Sequence, residues 1–135
     1  MRTLATAYAA TGLIFLLLDA AYLTFMGNRF YRPQLGPLLR DGFAIAPAVA
    51  FYLIYVAGLV MFAVQPGLTA QSLLTAALHG AAFGFVTYAT YDLTNQATLK
   101  DWPLLVSVVD MAWGTVVGTL AASAGYAVTA WMTRA

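Results

Sequence analysis

Four long apolar stretches constrain this chain more than any other feature of its sequence. Each stretch reaches or exceeds the roughly 20 residues that a helix needs to cross a bilayer. Only 8% of the 135 residues are charged, whereas about 25% are charged in soluble domains. We therefore predict an all-α polytopic membrane protein, with residues 1–135 as a single membrane domain and four transmembrane helices in one antiparallel bundle. The predicted helices cover residues 3–26, 43–64, 72–97 and 104–132.

Charge and cysteine content exclude several classes of function. The formal net charge is +1, which is too small to hold a nucleic-acid backbone, so no nucleic-acid partner is expected. The chain has no cysteine, which excludes disulfides, thiolate-bound metals and a cysteine nucleophile. The sequence contains neither a glycine-rich phosphate loop nor a spaced set of metal ligands. We therefore predict neither a cofactor nor a metal site, and no catalytic residue is assigned.

The basic residues suggest an orientation in the membrane. Four of them fall in the predicted loops 27–42 and 98–103, whereas Arg2 and Arg134 lie on the opposite side. By the positive-inside rule, we expect these two loops in the cytoplasm and both termini outside. In the first loop, Phe30 and Tyr31 stand between arginines, which is typical of a segment at the headgroup layer. The four loop cations are Arg29, Arg32, Arg40 and Lys100.

Three aspartates fall within the predicted helices, namely Asp19, Asp92 and Asp110. An ionised Asp at the bilayer centre costs roughly 2.5–3.5 kcal/mol, so each carboxyl group is expected to face the bundle interior. Asp19 and Asp110 each lie about 10 Å from the same ends of their helices, at 1.5 Å per residue. Asp92 joins this layer if the third helix continues past it. Because burial and mutual repulsion oppose three ionised carboxylates, we expect the layer to share protons, with the loop cations compensating charge.

Other polar and aromatic side chains fall at nearly the same depth as the aspartates. Together with the three carboxyl groups they predict a polar binding site that opens toward the loop side. The alternative is that buried Asp and Tyr only provide hydrogen bonds between helices, and for Trp113 a packing role is favoured over binding of a cation. The candidate binding residues are Asp19, Tyr22, Tyr88, Tyr91, Asp92, Thr94, Asn95, Asp110 and Trp113.

Small residues form ridges on the third and fourth helices. Gly80 and Gly84 are four residues apart on one ridge, and Gly114 and Gly118 on the other. Such ridges let helix backbones approach closely in lipid. Matching Gly84 with Gly118 in an antiparallel pair brings Asp92 and Asp110 to one level. The single histidine, His79, lies away from this layer, and we assign it a structural role.

Several segments carry a family resemblance. Residues 88–95 read YATYDLTN, residues 97–103 read ATLKDWP, and residues 109–114 read VDMAWG, while LDAAYL surrounds Asp19. This combination resembles the bacterial four-helix membrane family named domain of unknown function 2177. The resemblance implies a bacterial inner-membrane location but no mechanism. The family often has Trp at the Tyr22 position and has no fixed His at position 79. The signature residues that it implies are Asp19, Tyr88, Tyr91, Asp92, Thr94, Asn95, Lys100, Asp110 and Trp113.

Three functions are compatible with these features. The leading hypothesis is a small inner-membrane protein that binds or transports a proton, a cation or a small polar solute at the Asp/Tyr cluster. Such a protein would need to form a homo-oligomer, for which exposed glycine ridges offer contacts. The second hypothesis is a lipid-modifying enzyme with an Asp as general base and Arg29 or Arg32 holding the headgroup. The third is an accessory subunit whose polar layer only fixes helix packing. The balance favours a role without catalysis.

Overall fold

Four long helical spans make up the fold. The computed structural model describes residues 1–134, and within that range all regular structure is helical. The spans are Arg2–Leu38, Ile45–Ala70, Leu73–Thr98 and Leu104–Arg134, and each is long and apolar enough to cross a membrane. The all-α class and the four-helix architecture predicted from the sequence are therefore confirmed.

The first span extends well beyond its predicted end at residue 26. An α-helix over Arg2–Met26 continues through a π-helical turn over Gly27–Tyr31, a short α-helix over Arg32–Leu35 and a 3₁₀ turn over Gly36–Leu38. Pro33 lies in the first turn of the short helix, where its missing N–H is tolerated. The chain changes direction at Gly36, whose φ of +48° suits glycine. Much of the predicted loop 27–42 is therefore helical.

The second span also passes through a predicted break. It consists of Ile45–Leu59, a π-helical turn over Val60–Val64 and an α-helix over Gln65–Ala70. Pro66 and Gly67, which the sequence suggests as a turn, lie inside this last helix, and the turn comes at Gln71 with φ +51°. Gly67 instead permits close packing, because a Cβ built on it would lie 2.6 Å from the Cβ of Ala76.

The last two spans begin and end close to their predicted limits. The side chain of Ser72 accepts a hydrogen bond from the Thr75 backbone N–H (3.1 Å), which caps the third span. The third span ends at Thr98, and the fourth begins at Leu104 after Pro103. Between them, Asp101 has a left-handed φ of +60°.

The third and fourth spans form the most extensive helix–helix contact, followed by the first and fourth. A Cβ on Gly80 would lie 2.7 Å from the Cβ of Ala122 and would also strike the Gly118 carbonyl, while one on Gly84 would strike the Gly114 carbonyl. The four glycines are buried between the two spans. They are therefore not exposed ridges for a second copy, which corrects that part of the sequence-based expectation.

Candidate functional site

Asp19 joins three spans through its two carboxylate oxygens. It is buried in the first span, where it is 7% exposed. Tyr52 from the second span donates its hydroxyl hydrogen bond to Oδ2 of Asp19. Trp113 from the fourth span donates from Nε1 to Oδ1 at 3.3 Å. Both oxygens thus have donors, as a buried carboxyl group in lipid requires.

A chain of aromatic side chains leads from Asp19 to Asp110. The ring of Tyr22 stacks on that of Trp113, with centroids 4.1 Å apart and planes 3° from parallel. The Tyr22 and Tyr31 hydroxyls are 2.8 Å apart. Tyr31 then donates to Oδ1 of Asp110 at 2.7 Å. The hydroxyl of Tyr31 therefore lies within the site, and its place at the headgroup layer stays a prediction.

Asp92 differs from the other two aspartates because its carboxyl group has no donor. It is fully buried in the third span, and neither Oδ1 nor Oδ2 has a hydrogen-bond partner. Its principal charged neighbour is Asp110 of the fourth span. Two carboxyl groups can hydrogen-bond to each other only when one holds a proton. The Asp92–Asp110 pair therefore needs either a bound proton or another positive charge to satisfy its oxygens.

The backbone of Asp92 contacts the start of the fourth span. Ser107 is buried, and its hydroxyl lies 3.4 Å from the backbone carbonyl of Asp92, to which it donates. Trp102 donates from Nε1 to the Ser107 hydroxyl at 3.1 Å. The ring of Trp102 also meets that of Tyr91 edge to face, with centroids 5.9 Å apart. Trp102 thus connects Tyr91 of the third span with Ser107 of the fourth.

Some predicted site residues lie outside this network. Tyr91 is 57% exposed, and Thr94 uses its hydroxyl on the backbone carbonyls of Thr90 and Tyr91. Asn95 is half-buried beside Tyr91. Tyr88 packs against Gly114, where a Cβ would strike its ring. The structure thus brings Asp19, Tyr22, Asp110 and Trp113 together by direct contacts, with Asp92 beside Asp110.

The cations of the first connection are engaged with the first span itself. Arg29 lies over the Phe25 ring at 4.3 Å from its centroid and donates to the Phe25 carbonyl. Arg32 donates from Nε to Oδ1 of Asn28 at 3.2 Å. Arg40 and Lys100 are exposed. The contacts of Arg29 and Arg32 therefore do not involve the aspartates. No direct contact supports the prediction that these arginines compensate the buried negative charge.

Two grooves are found away from the aspartates. One of about 680 Å³ follows Ala20, Ala21, Thr24, Phe25, Asn28 and Arg29 on the first span. Another of about 810 Å³ lies at the opposite end, between Thr3–Ala7 and Met61–Ala70. Neither is lined by a carboxyl group. Across residues 1–134, no three or more His, Cys, Asp or Glu side chains are grouped so that they could hold a metal ion.

A family model described as a predicted membrane protein (DUF2177) matches residues 4–127. The chain belongs to the DUF2177 family. This membership confirms the resemblance noted in the sequence. No curated protein and no solved structure shows significant similarity to this DUF2177 protein. The family establishes a membrane protein but assigns no chemistry to the aspartates.

His79 has a role that follows from the second span. Pro66 has no N–H to donate to the carbonyl of Phe62, four residues earlier. The Nδ1 atom of His79 lies 3.1 Å from that carbonyl oxygen. His79 thus ties the third span to the irregular part of the second.

Sequence reasoning missed Tyr52 and the inward position of Tyr31, together with the buried polar atoms of Gln96 and Ser107. Tyr52 stands in a uniformly apolar helix, and only the packing of the second span against the first reveals its partner. The signal for Tyr31 is the continuation of the first span through its π-helical turn. Gln96 is four residues after Asp92 and so shares its helix face, which a search along the ridge could have found.

Proposed function

We propose that this DUF2177 protein binds and exchanges a proton or small cation at the Asp92–Asp110 pair, as a small transport or ion-binding protein. The observation that carries the proposal is Asp92, a fully buried carboxyl group whose oxygens have no donor. Intramembrane carboxyl groups are costly and commonly mark ion or proton pathways. A carboxyl group that served only to join helices would be expected to have a partner, as Asp19 has.

The surroundings of the pair favour a small occupant. Gly80, Gly84, Gly114 and Gly118 bring the third and fourth spans close together. Ser107 of the fourth span also contacts the backbone carbonyl of Asp92. The two grooves lie elsewhere. A proton or a dehydrated ion fits such a site better than a polar solute of several heavy atoms.

The contacts of Asp19 fit the accessory-subunit hypothesis, in which buried polar groups only fix helix packing. Its hydrogen bonds to Tyr52 and Trp113 connect three spans. We therefore assign Asp19 a mainly structural role and expect Asp19→Asn to weaken the fold more than it weakens ion exchange. The lipid-modifying enzyme finds less support, because Arg29 and Arg32 contact the first span rather than the aspartates.

We also propose a bacterial inner-membrane location with the first and third connections in the cytoplasm, and a homo-oligomer in the lipid bilayer. The absence of cysteine makes the orientation testable by single-cysteine labelling. Gln34→Cys lies on the first-connection side and Gln71→Cys at the turn after the second span. In intact cells with a permeable outer membrane, an impermeant maleimide should label Gln71→Cys. Labelling of Gln34→Cys instead would reverse the orientation.

The exchange itself is tested in proteoliposomes. Proton entry is followed with a trapped pH-sensitive dye, under an imposed pH gradient and under sodium or potassium gradients. Wild type should conduct, and Asp92→Asn and Asp110→Asn should lose the flux while keeping the elution volume and helical spectrum. Asp41→Asn makes the same chemical change at an exposed position between the first two spans, and it should behave as wild type. Unchanged flux in both folded site variants would refute the proposal.

A further inference from the structure

One patch of the bundle holds buried oxygen atoms without any donor. Oδ1 and Oδ2 of Asp92 and Oε1 of Gln96 are buried and have no hydrogen-bond partner. Asp92 and Gln96 are one helical turn apart on the third span, so their Cβ atoms lie about 5–6 Å apart on the same face. On the fourth span, Asp110 lies between Ser107, which contacts the Asp92 backbone carbonyl, and Gly114, which packs against Gly84, so it is at the level of Asp92. The patch therefore collects acceptors from two neighbouring helices.

We propose that Asp92, Gln96 and Asp110 form an oxygen-lined site for a hard cation. This inference rests on the proposed exchange function and specifies the ion that occupies the exchange site. Hard cations such as Na⁺, Mg²⁺ and Ca²⁺ take carboxylate and amide oxygens as ligands. The absence of a three-membered His, Cys, Asp or Glu group within residues 1–134 is compatible with this site, because its third ligand is an amide oxygen.

The number of acceptors distinguishes a cation from a proton. One proton placed between Asp92 and Asp110 engages one oxygen of each carboxyl group. It leaves the second oxygen of Asp92 and Oε1 of Gln96 buried without a partner, which is costly in lipid. A cation bound between the two helices would take these oxygens as shared ligands and would offset one or both of the carboxylate charges, according to its own charge.

The charge and the hydrogen bonds of Asp110 fit this arrangement. Oδ1 of Asp110 already accepts from Tyr31 at 2.7 Å, which orients the carboxyl group and partly offsets its charge. A divalent ion would neutralise the two carboxylates, and a monovalent ion would leave one negative charge next to the Tyr31 hydroxyl. The shared chemistry is a dehydrated hard cation with oxygen ligands, and separate salts distinguish the ions.

The test is a thermal-unfolding titration of the whole protein in detergent with NaCl, KCl, MgCl₂ or CaCl₂. Choline chloride at matched ionic strength is the control, because its methylated ammonium group cannot be coordinated closely by oxygen ligands. A ligand that binds only the folded state raises the unfolding temperature with its concentration. We expect at least one metal salt to raise it above the choline value, with saturation.

Variants then locate the site. Gln96→Leu should weaken the apparent affinity about tenfold or more, and Gln96→Glu, which keeps an oxygen ligand, should retain binding. Gln34→Leu is the matched control at an exposed position and should titrate as wild type. No salt exceeding choline, or a Gln96→Leu protein titrating as wild type, would overturn the inference. If no salt effect is found but proton flux in liposomes depends on Asp92, the proposed exchange function stands with a proton as its occupant. If neither the salt effect nor the Asp92-dependent flux is found, both proposals are refuted.

Discussion

Tyr22 and Trp113 lie parallel, with ring centroids 4.1 Å apart and planes 3° from parallel. The indole N–H of Trp113 is donated to Asp19, and the hydroxyl of Tyr22 meets that of Tyr31, which donates to Asp110. This stacked pair therefore joins the hydrogen bonds of two buried aspartates. Packing of the first span against the fourth and the orientation of both carboxyl groups depend on the same contact.

Replacing Trp113 should separate the hydrogen bond from the stack. Trp113→Phe keeps an aromatic ring on Tyr22 but removes the donor to Asp19, so we expect a loss of about 1 kcal/mol of unfolding free energy. Trp113→Leu also removes the stack, which should add about 0.5–1.5 kcal/mol. Reversible denaturation in mixed micelles measures both values. Trp131→Phe, at a residue that is 76% exposed, is the control, and equal losses in the two Trp113 variants would contradict the role of the stack.

The glycine contact between the third and fourth spans should tolerate no side chain. A Cβ on Gly84 would strike the Gly114 carbonyl, which cannot move without shifting a helix. Gly84→Val should therefore prevent folding or separate the two spans. Overpacking costs about 1–3 kcal/mol of unfolding free energy, and more where backbone is struck. Circular dichroism and size-exclusion chromatography in detergent report the outcome. Gly42→Ala, where nothing lies within 4 Å of an added Cβ, should leave the protein unchanged, and a stable Gly84→Val protein would show that the spans are not in contact there.

The bond between Tyr52 and Asp19 should appear as coupling in a double-mutant cycle. Tyr52→Phe removes the donor and leaves Oδ2 of Asp19 without a partner. Asp19→Asn replaces one carboxylate oxygen with an NH2 group, so either Tyr52 or Trp113 loses its acceptor, and each change should destabilise the protein. We expect a coupling free energy of about 0.6–1.7 kcal/mol, the range found for hydrogen bonds between transmembrane helices. The Tyr8 hydroxyl donates to the backbone of Leu53 instead, so Tyr8→Phe combined with Asp19→Asn should be additive. Additivity in the Tyr52 cycle as well would mean that this hydrogen bond contributes nothing.

His79 should stabilise the bundle by donating a hydrogen bond to the Phe62 carbonyl. Pro66 cannot donate to this carbonyl because it has no N–H. His79→Phe keeps an aromatic ring of similar size without that donor, and we expect a loss of about 1 kcal/mol. His79→Gln, which can still donate, should recover part of it. Thermal unfolding of the three proteins side by side measures the difference. A His79→Phe protein as stable as wild type would leave the histidine without a structural role.

The sequence was sufficient for the architecture, because span length and hydropathy depend only on local composition. The depth of Asp19 was less secure, because it was counted from a helix end at Met26, whereas the first span continues to Leu38. The side-chain contacts within the layer could not be predicted from the sequence. The π-helical turns over Gly27–Tyr31 and Val60–Val64 carry the helices past glycine and proline residues that usually end them, and they change the face that later residues present.

This irregularity explains the two main errors. The sequence predicts that the first helix ends at Met26, so Tyr31 is not among the predicted binding residues. It also predicts Pro66 and Gly67 in a loop, whereas both lie in a helix. The donor from Tyr52 could not be foreseen either, because no periodic pattern in the second span indicates which side faces the first. Long-range packing decides both positions.

Infrared difference spectroscopy tests the central claim most directly, because it detects the carboxyl groups themselves. Wild type in lipid is perfused first with choline chloride and then with sodium, calcium or acid, and the carboxyl and carboxylate bands are recorded before and after. We predict a reversible change in these bands for wild type, with a component that persists in Asp41→Asn and is lost in folded Asp92→Asn. Identical difference spectra for wild type and Asp92→Asn would contradict the account, since Asp92 would then exchange neither a proton nor an ion.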